Sequence, residues 1–100
     1  MLAEREMRRR DLRSMANRIA AVLRSEFDAQ RVWVFGSVVR PWFHEESDLD
    51  LAVEGISPAR RADAWDRVST LANTSVDLVH LEEAPPLLRE RILADGEVLA

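Results

Sequence analysis

The sequence predicts a single small α/β domain, a mixed β-sheet flanked by helices in the order α-β-β-α-β-α-(β). Three observations lead there. Leu12, Met15, Ala16, Ile19, Val22, Leu23 and Phe27 recur at helical spacing and make one apolar stripe. Three short runs rich in β-branched and apolar residues, at 31–35, 49–53 and 76–81, read as strands with helical patterns interleaved. The link between the first two strands holds no long helix, so the sheet is mixed and not purely parallel.

Each element has its own local cause. The first helix covers Leu12 to Phe27, and the charged stretch 1–11 either extends it or frays. Arg31-Val-Trp-Val-Phe35 is a buried strand ended by Gly36. Residues 37–46 are irregular, with Pro41 among them. The second strand runs from near Asp48 through Leu49 to Val53, before Gly55. Ser57-Pro58 opens a helix with a hydroxyl at the cap and proline at the first position. Ala62, Trp65, Val68 and Leu71 give that helix its expected buried stripe, and Asn73 stops it. Val76 to Leu81 is the third strand. Pro85-Pro86 starts a last helix, Leu87 to Asp95, which Gly96 is expected to close in the left-handed conformation, and Val98-Leu99 adds a terminal strand.

The bulk properties exclude several classes. One hundred residues suit one domain, here taken as residues 1–100. Apolar residues at 47% and charged residues at 32% give a globular balance. No apolar run approaches the roughly 20 residues that span a bilayer, and no apolar segment follows Arg8-Arg9-Arg10 as a secretory signal requires. With no cysteine there is no disulfide and no thiolate metal site, which fits a cytoplasmic protein. The net charge of −4 argues against a whole-surface nucleic-acid binder and for a local phosphate site.

The chemistry concentrates between Gly36 and Leu51. Asp48 and Asp50 stand two apart in a strand, so both carboxylates point to one face while Leu49 and Leu51 enter the core. Adjacent carboxylates repel unless a cation lies between them or one pKa rises. Asp77 sits between Val76 and Leu78 in the third strand. If that strand lies beside the second, the three acids share one surface. Such a patch suits Mg²⁺, and two ions about 3.5–4 Å apart can hold both oxygens of an in-line phosphoryl displacement. Gly36-Ser37 follows a strand directly. There glycine permits a tight turn, and a hydroxyl with neighbouring amides can hold phosphate. Arg40 reaches the same group with its planar fork. A nucleoside triphosphate with its metals fits between these two halves. Each piece alone has a plain structural reading as solvent-facing alternation or a turn; their conjunction points to function.

This set resembles the nucleotidyltransferase superfamily that includes the polymerase-β-like enzymes. Its signature of Gly-Ser, ten residues, then Asp-x-Asp is met by Gly36, Ser37, Asp48 and Asp50. The likeness to the minimal nucleotidyltransferases covers nearly the whole chain, including Leu87 through Leu99. It implies the polymerase-β palm-like fold. It also implies Asp48 and Asp50 as ligands of two Mg²⁺ ions and Asp77 as the third acid, acting on the acceptor hydroxyl. Gly36, Ser37 and Arg40 would hold the triphosphate of ATP. One departure is Pro41, where a glycine commonly follows the arginine; proline fixes φ and removes a donor. Many small members are antitoxins paired with a HEPN-domain ribonuclease toxin. The resemblance thus implies transfer of AMP onto a tyrosine hydroxyl of such a partner, in a hetero-oligomer. The length independently leads us to expect an acceptor surface supplied by a partner.

Other residues weigh less. Arg5, Arg8, Arg9, Arg10 and Arg13 either contact an acidic partner or RNA, or form a solvated face pairing with Glu4, Glu6 and Asp11. Trp42-Phe43 either stacks on a base or anchors the loop. His44, Glu45 and Glu46 are adjacent in a loop, where side chains seldom converge on one ion. His80 reads as structural or surface, Ser47 as a turn residue, Trp33 and Trp65 as core. Two alternatives stay open: a non-catalytic module that neutralises its partner by occlusion, and a small-molecule nucleotidyltransferase.

Overall fold

The computed structural model describes the backbone at 2–36 and 49–99, and the side chains at 7–36 and 49–99. Ser37, Arg40, Pro41, Trp42, Phe43, His44, Glu45, Glu46, Ser47 and Asp48 lie outside the described residues, as do the side chains of Glu4, Arg5 and Glu6.

Helix α1 spans Leu2–Phe27, so the charged opening stretch is helical from its second residue. Its Leu, Ala, Glu, Met and Arg residues are strong helix formers. Leu12, Met15, Ala16, Ile19, Leu23 and Phe27 are buried as expected. Ala20 joins them, while Val22 is only half-buried at the edge of the stripe. The helix stops at Asp28, whose φ of 58° is left-handed, and the Ala29 N–H returns to the Leu23 carbonyl at 3.1 Å. Arg60 Nη2 also donates to the Glu26 carbonyl at the same helix end.

Strands β1 (Arg31–Phe35), β2 (Leu49–Glu54), β3 (Val76–His80) and β4 (Glu97–Leu99) form one sheet in the order β3-β2-β1-β4. β2 and β4 run antiparallel to β1, and β3 runs parallel to β2. The sheet is therefore mixed. Residues 36–48 join the antiparallel pair, and helix α2 (Arg61–Leu71) makes the crossover between the parallel pair. Helix α3 (Pro86–Asp95) connects β3 to β4.

The sheet has two unlike faces. One presents Val32, Val34, Leu49, Leu51, Val53 and Val76 to α1 and α2 and carries the larger core. The other carries a smaller cluster in which Trp33, Phe35 and Ala52 meet Ile92 of α3 and Leu81.

Three expectations need correction. The buried stripe of α2 is Ala64 and Val68, with Leu71 packed against the core; Ala62 and Trp65 point outward, and Trp65 is 46% exposed. A single 3₁₀ turn at Pro58–Arg60 precedes the helix. Apolar residues occupy two neighbouring stripes, and periodicity alone does not choose between them. Ser57 stands at the entry to that turn, but its hydroxyl makes no capping bond; its carbonyl accepts from the Arg60 N–H at 2.9 Å. Gly96 is extended, with φ −70° and ψ 152°, not left-handed. Its requirement is space: a Cβ there would lie 2.5 Å from the Ile92 carbonyl oxygen and 3.5 Å from Trp33 Cβ.

No described helix is long and apolar enough to cross a membrane.

Candidate active site

Strand pairing aligns a row of residues across the sheet. Phe35 is the partner of Asp50 across the antiparallel pair, and Asp50 is the partner of Asp77 across the parallel pair. Register partners project from the same face, about 4.8 Å apart between neighbouring strands. The next row on that face, Trp33, Ala52 and Val79, lies in the cluster covered by α3. The row Phe35-Asp50-Asp77 lies immediately beyond it. Phe35 is buried, Asp50 half-buried and Asp77 exposed, so the two carboxylates stand at the uncovered end of the α3 face. Leu49 and Leu51 turn to the opposite face and into the larger core, as the alternation requires.

Gly36 completes this end. Its φ of +77° lies in the left-handed region, where a side chain is strained. A Cβ at this position would collide with the Asp50 carboxylate oxygen Oδ2 and lie 3.1 Å from Cγ. The glycine is thus needed twice, for the turn and for the close approach of backbone to carboxylate. Sequence patterns reveal the turn; only the β1–β2 register reveals the approach to Asp50.

Of the six residues expected to form the site, Gly36, Asp50 and Asp77 are described, and they come together. Asp48, Ser37 and Arg40 lie outside the described residues. Among the described residues no group of three possible ligands gathers. The two carboxylates that do stand together are hard oxygen donors on one surface, which fits Mg²⁺ and disfavours softer metals.

The opposite end of β3 is different. His80 is half-buried, and burial, with a smaller contribution from Arg61, holds its pKa below the ordinary value of 6.5 against the opposing pull of Glu82 and Glu83. It lies three residues from Asp77, at the far end of the strand, and takes no part in the carboxylate row.

The sequence profile of the family described as Polymerase beta, Nucleotidyltransferase matches residues 17–100. The chain is 30% identical over 87 residues to the protein adenylyltransferase MntA of Shewanella oneidensis, an alignment covering 83% of this chain. It spans 63% of that curated relative's length. Among solved structures, a variant of the toxin–antitoxin complex MntA-HpeT matches with a TM-score of 0.70 at 25% identity, covering 85% of this chain and 72% of the other. A structure assigned as a minimal nucleotidyltransferase matches with a TM-score of 0.57 at 32% identity, over 96% and 93% of the two chains. The row of acids beside Gly36 therefore sits in a fold shared with these proteins, and the chain belongs to the polymerase β nucleotidyltransferase family.

Proposed function

We propose that the protein is a metal-dependent nucleotidyltransferase that moves AMP from ATP onto a tyrosine hydroxyl of a partner protein. We propose further that it acts in the cytoplasm as the antitoxin of a HEPN-domain toxin. The register pairing of Asp50 with Asp77 beside Gly36 carries this reading. Asp48 and Asp50 would ligate Mg²⁺ together with Asp77, and the bound metal supplies charge neutralisation on the triphosphate. Gly36, Ser37 and Arg40 hold the phosphates. The acceptor hydroxyl oxygen bonds to the α-phosphorus, and the bond from that phosphorus to the bridging oxygen breaks. Pyrophosphate leaves, and the hydroxyl proton passes to Asp77. In-line geometry needs the acceptor and the leaving group on opposite sides of the phosphorus, and an acceptor whose proton passes to Asp77 approaches over that exposed carboxylate.

Membership of the family and likeness to a protein adenylyltransferase support the AMP donor and the protein acceptor. The test is to co-express the chain with its neighbouring gene product, purify the complex, and weigh both proteins by mass spectrometry. A mass increment of AMP on a tyrosine of the partner is expected. A neutralised but unmodified partner would instead favour occlusion.

A further inference from the structure

We infer that the groove between the first half of α1 and the loop before β3 is the docking surface for an acidic, apolar-flanked segment of the acceptor protein. The inference rests on the proposed transfer reaction and adds how its protein substrate is held.

The groove has a volume of about 670 Å³. Met7, Asp11, Ser14 and Arg18 run along one side of α1 at helical spacing, and Asn73 with Thr74 forms the opposite wall. Leu12 and Met15 are buried at its floor, and Met7 is exposed at its rim.

Position relative to the site is the first argument. Thr74 precedes Asp77 by three residues, and an extended chain covers at most about 3.6 Å per residue, so the two Cα atoms lie within about 11 Å of each other, with the groove on the α1 face of the sheet and the carboxylate row on the α3 face. The Leu49 N–H donates to the Ser75 carbonyl at 3.1 Å, which ties this loop to the start of β2, one residue before Asp50. A segment lying in the groove must turn round the ends of β2 and β3 to bring its next residues to the carboxylate row on the other face.

Charge is the second argument. Helix α1 holds seven of the chain's fourteen basic residues but four of its eighteen acids, so an acidic protein presents one basic helix. Arg8 and Arg18 line the groove, and neither joins an ion pair among the described residues, whereas Arg13 is engaged by Glu97 at 2.6 Å on another side of the helix. The fixed charge that faces the groove is thus net positive, with Asp11 opposing it. Among the described residues the lining holds two methionines and a leucine, no aromatic ring and one acid. Nucleic acid would want stacking platforms and no carboxylate, whereas an acidic protein segment with apolar neighbours matches both the arginines and the methionines.

The experiment measures AMP transfer from ATP to the neighbouring HEPN-domain gene product by the wild type, by Arg8→Glu/Arg18→Glu and by the milder Arg8→Gln/Arg18→Gln. Circular dichroism checks the fold of each. Expected is a rise in KM for the partner of tenfold or more on charge reversal and a smaller rise for the glutamine pair. The KM for ATP and kcat should stay unchanged, and the wild-type KM for the partner should climb with salt. Direct calorimetric binding of the partner without ATP should weaken in the same order. An unchanged KM and Kd for the partner, with transfer still abolished by Asp50→Asn, overturns the docking surface and leaves the reaction standing. Transfer that persists in Asp50→Asn overturns the reaction instead. If a 20-nucleotide poly(A) RNA binds the wild type and not the reversed pair while the partner KM is unmoved, the groove serves RNA and the inference is wrong.

Discussion

Asp50 on β2 and Asp77 on β3 are register partners in a parallel pair, so two carboxylates stand side by side on one face of the sheet. Like charges directly opposite on neighbouring strands destabilise a sheet by a few tenths to about 1 kcal/mol. A cation shared by the two carboxylates offsets that cost. Asp50→Asn and Asp77→Asn are each expected to raise Tm in metal-free buffer by a few degrees. Added Mg²⁺ should raise Tm in the wild type and do so less in either variant, because a ligand that binds only the folded state adds stability that grows with the logarithm of one plus its concentration over Kd. Thermal melts with and without EDTA check both signs.

Gly36→Ala should leave the fold standing and remove the activity. The added Cβ meets the Asp50 carboxylate and sits at a φ of +77°. Strain at such a site costs about 1 kcal/mol or more, while displacement of the carboxylate should lower transfer at least about a hundredfold. Melting curves beside initial rates separate the two effects.

The two described tryptophans should behave oppositely. Trp33 is 3% exposed in the cluster under α3, and Trp65 is 46% exposed on α2. Trp33→Ala is expected to cost about 3–5 kcal/mol, the usual penalty for a large core truncation, and Trp65→Ala less than about 1 kcal/mol. Denaturant midpoints for the two variants test this directly.

Stability should fall on mild acidification because of His80. Its folded pKa lies below the unfolded value of 6.5, chiefly through burial. The unfolded chain then binds the proton more readily, so the stabilisation is complete above pH 6.5 and is lost as pH falls toward the folded pKa. Arg61 reinforces this shift, and Glu82 and Glu83 oppose it. His80→Gln should flatten the dependence of unfolding free energy on pH as pH falls below 6.5.

Most of the architecture was legible in the sequence because each strand is short, β-rich and bounded by a turn residue. The row of acids was legible for a related reason: alternation fixes the face of Asp50 and Asp77, and only the adjacency of β2 and β3 had to be assumed. The face of α2 was not legible, since Ala62-Trp65 and Ala64-Val68 offer two stripes of similar apolarity and only packing against the sheet distinguishes them. The role of Gly96 was not legible, because a glycine after a helix satisfies either a left-handed turn or a steric limit, and here the limit is the Ile92 carbonyl oxygen, brought close by the extended backbone that leads into β4. The groove along α1 depends on where the loop at Asn73-Thr74 folds back, which no local pattern encodes.

The most direct measurement is the initial rate of transfer from α-³²P-labelled ATP to the partner in Mg²⁺, wild type against Asp50→Asn, with both proteins shown folded. A loss of at least about a hundredfold is expected in the variant, with loss of the wild-type rate in EDTA. A variant that transfers label at the wild-type rate would contradict it.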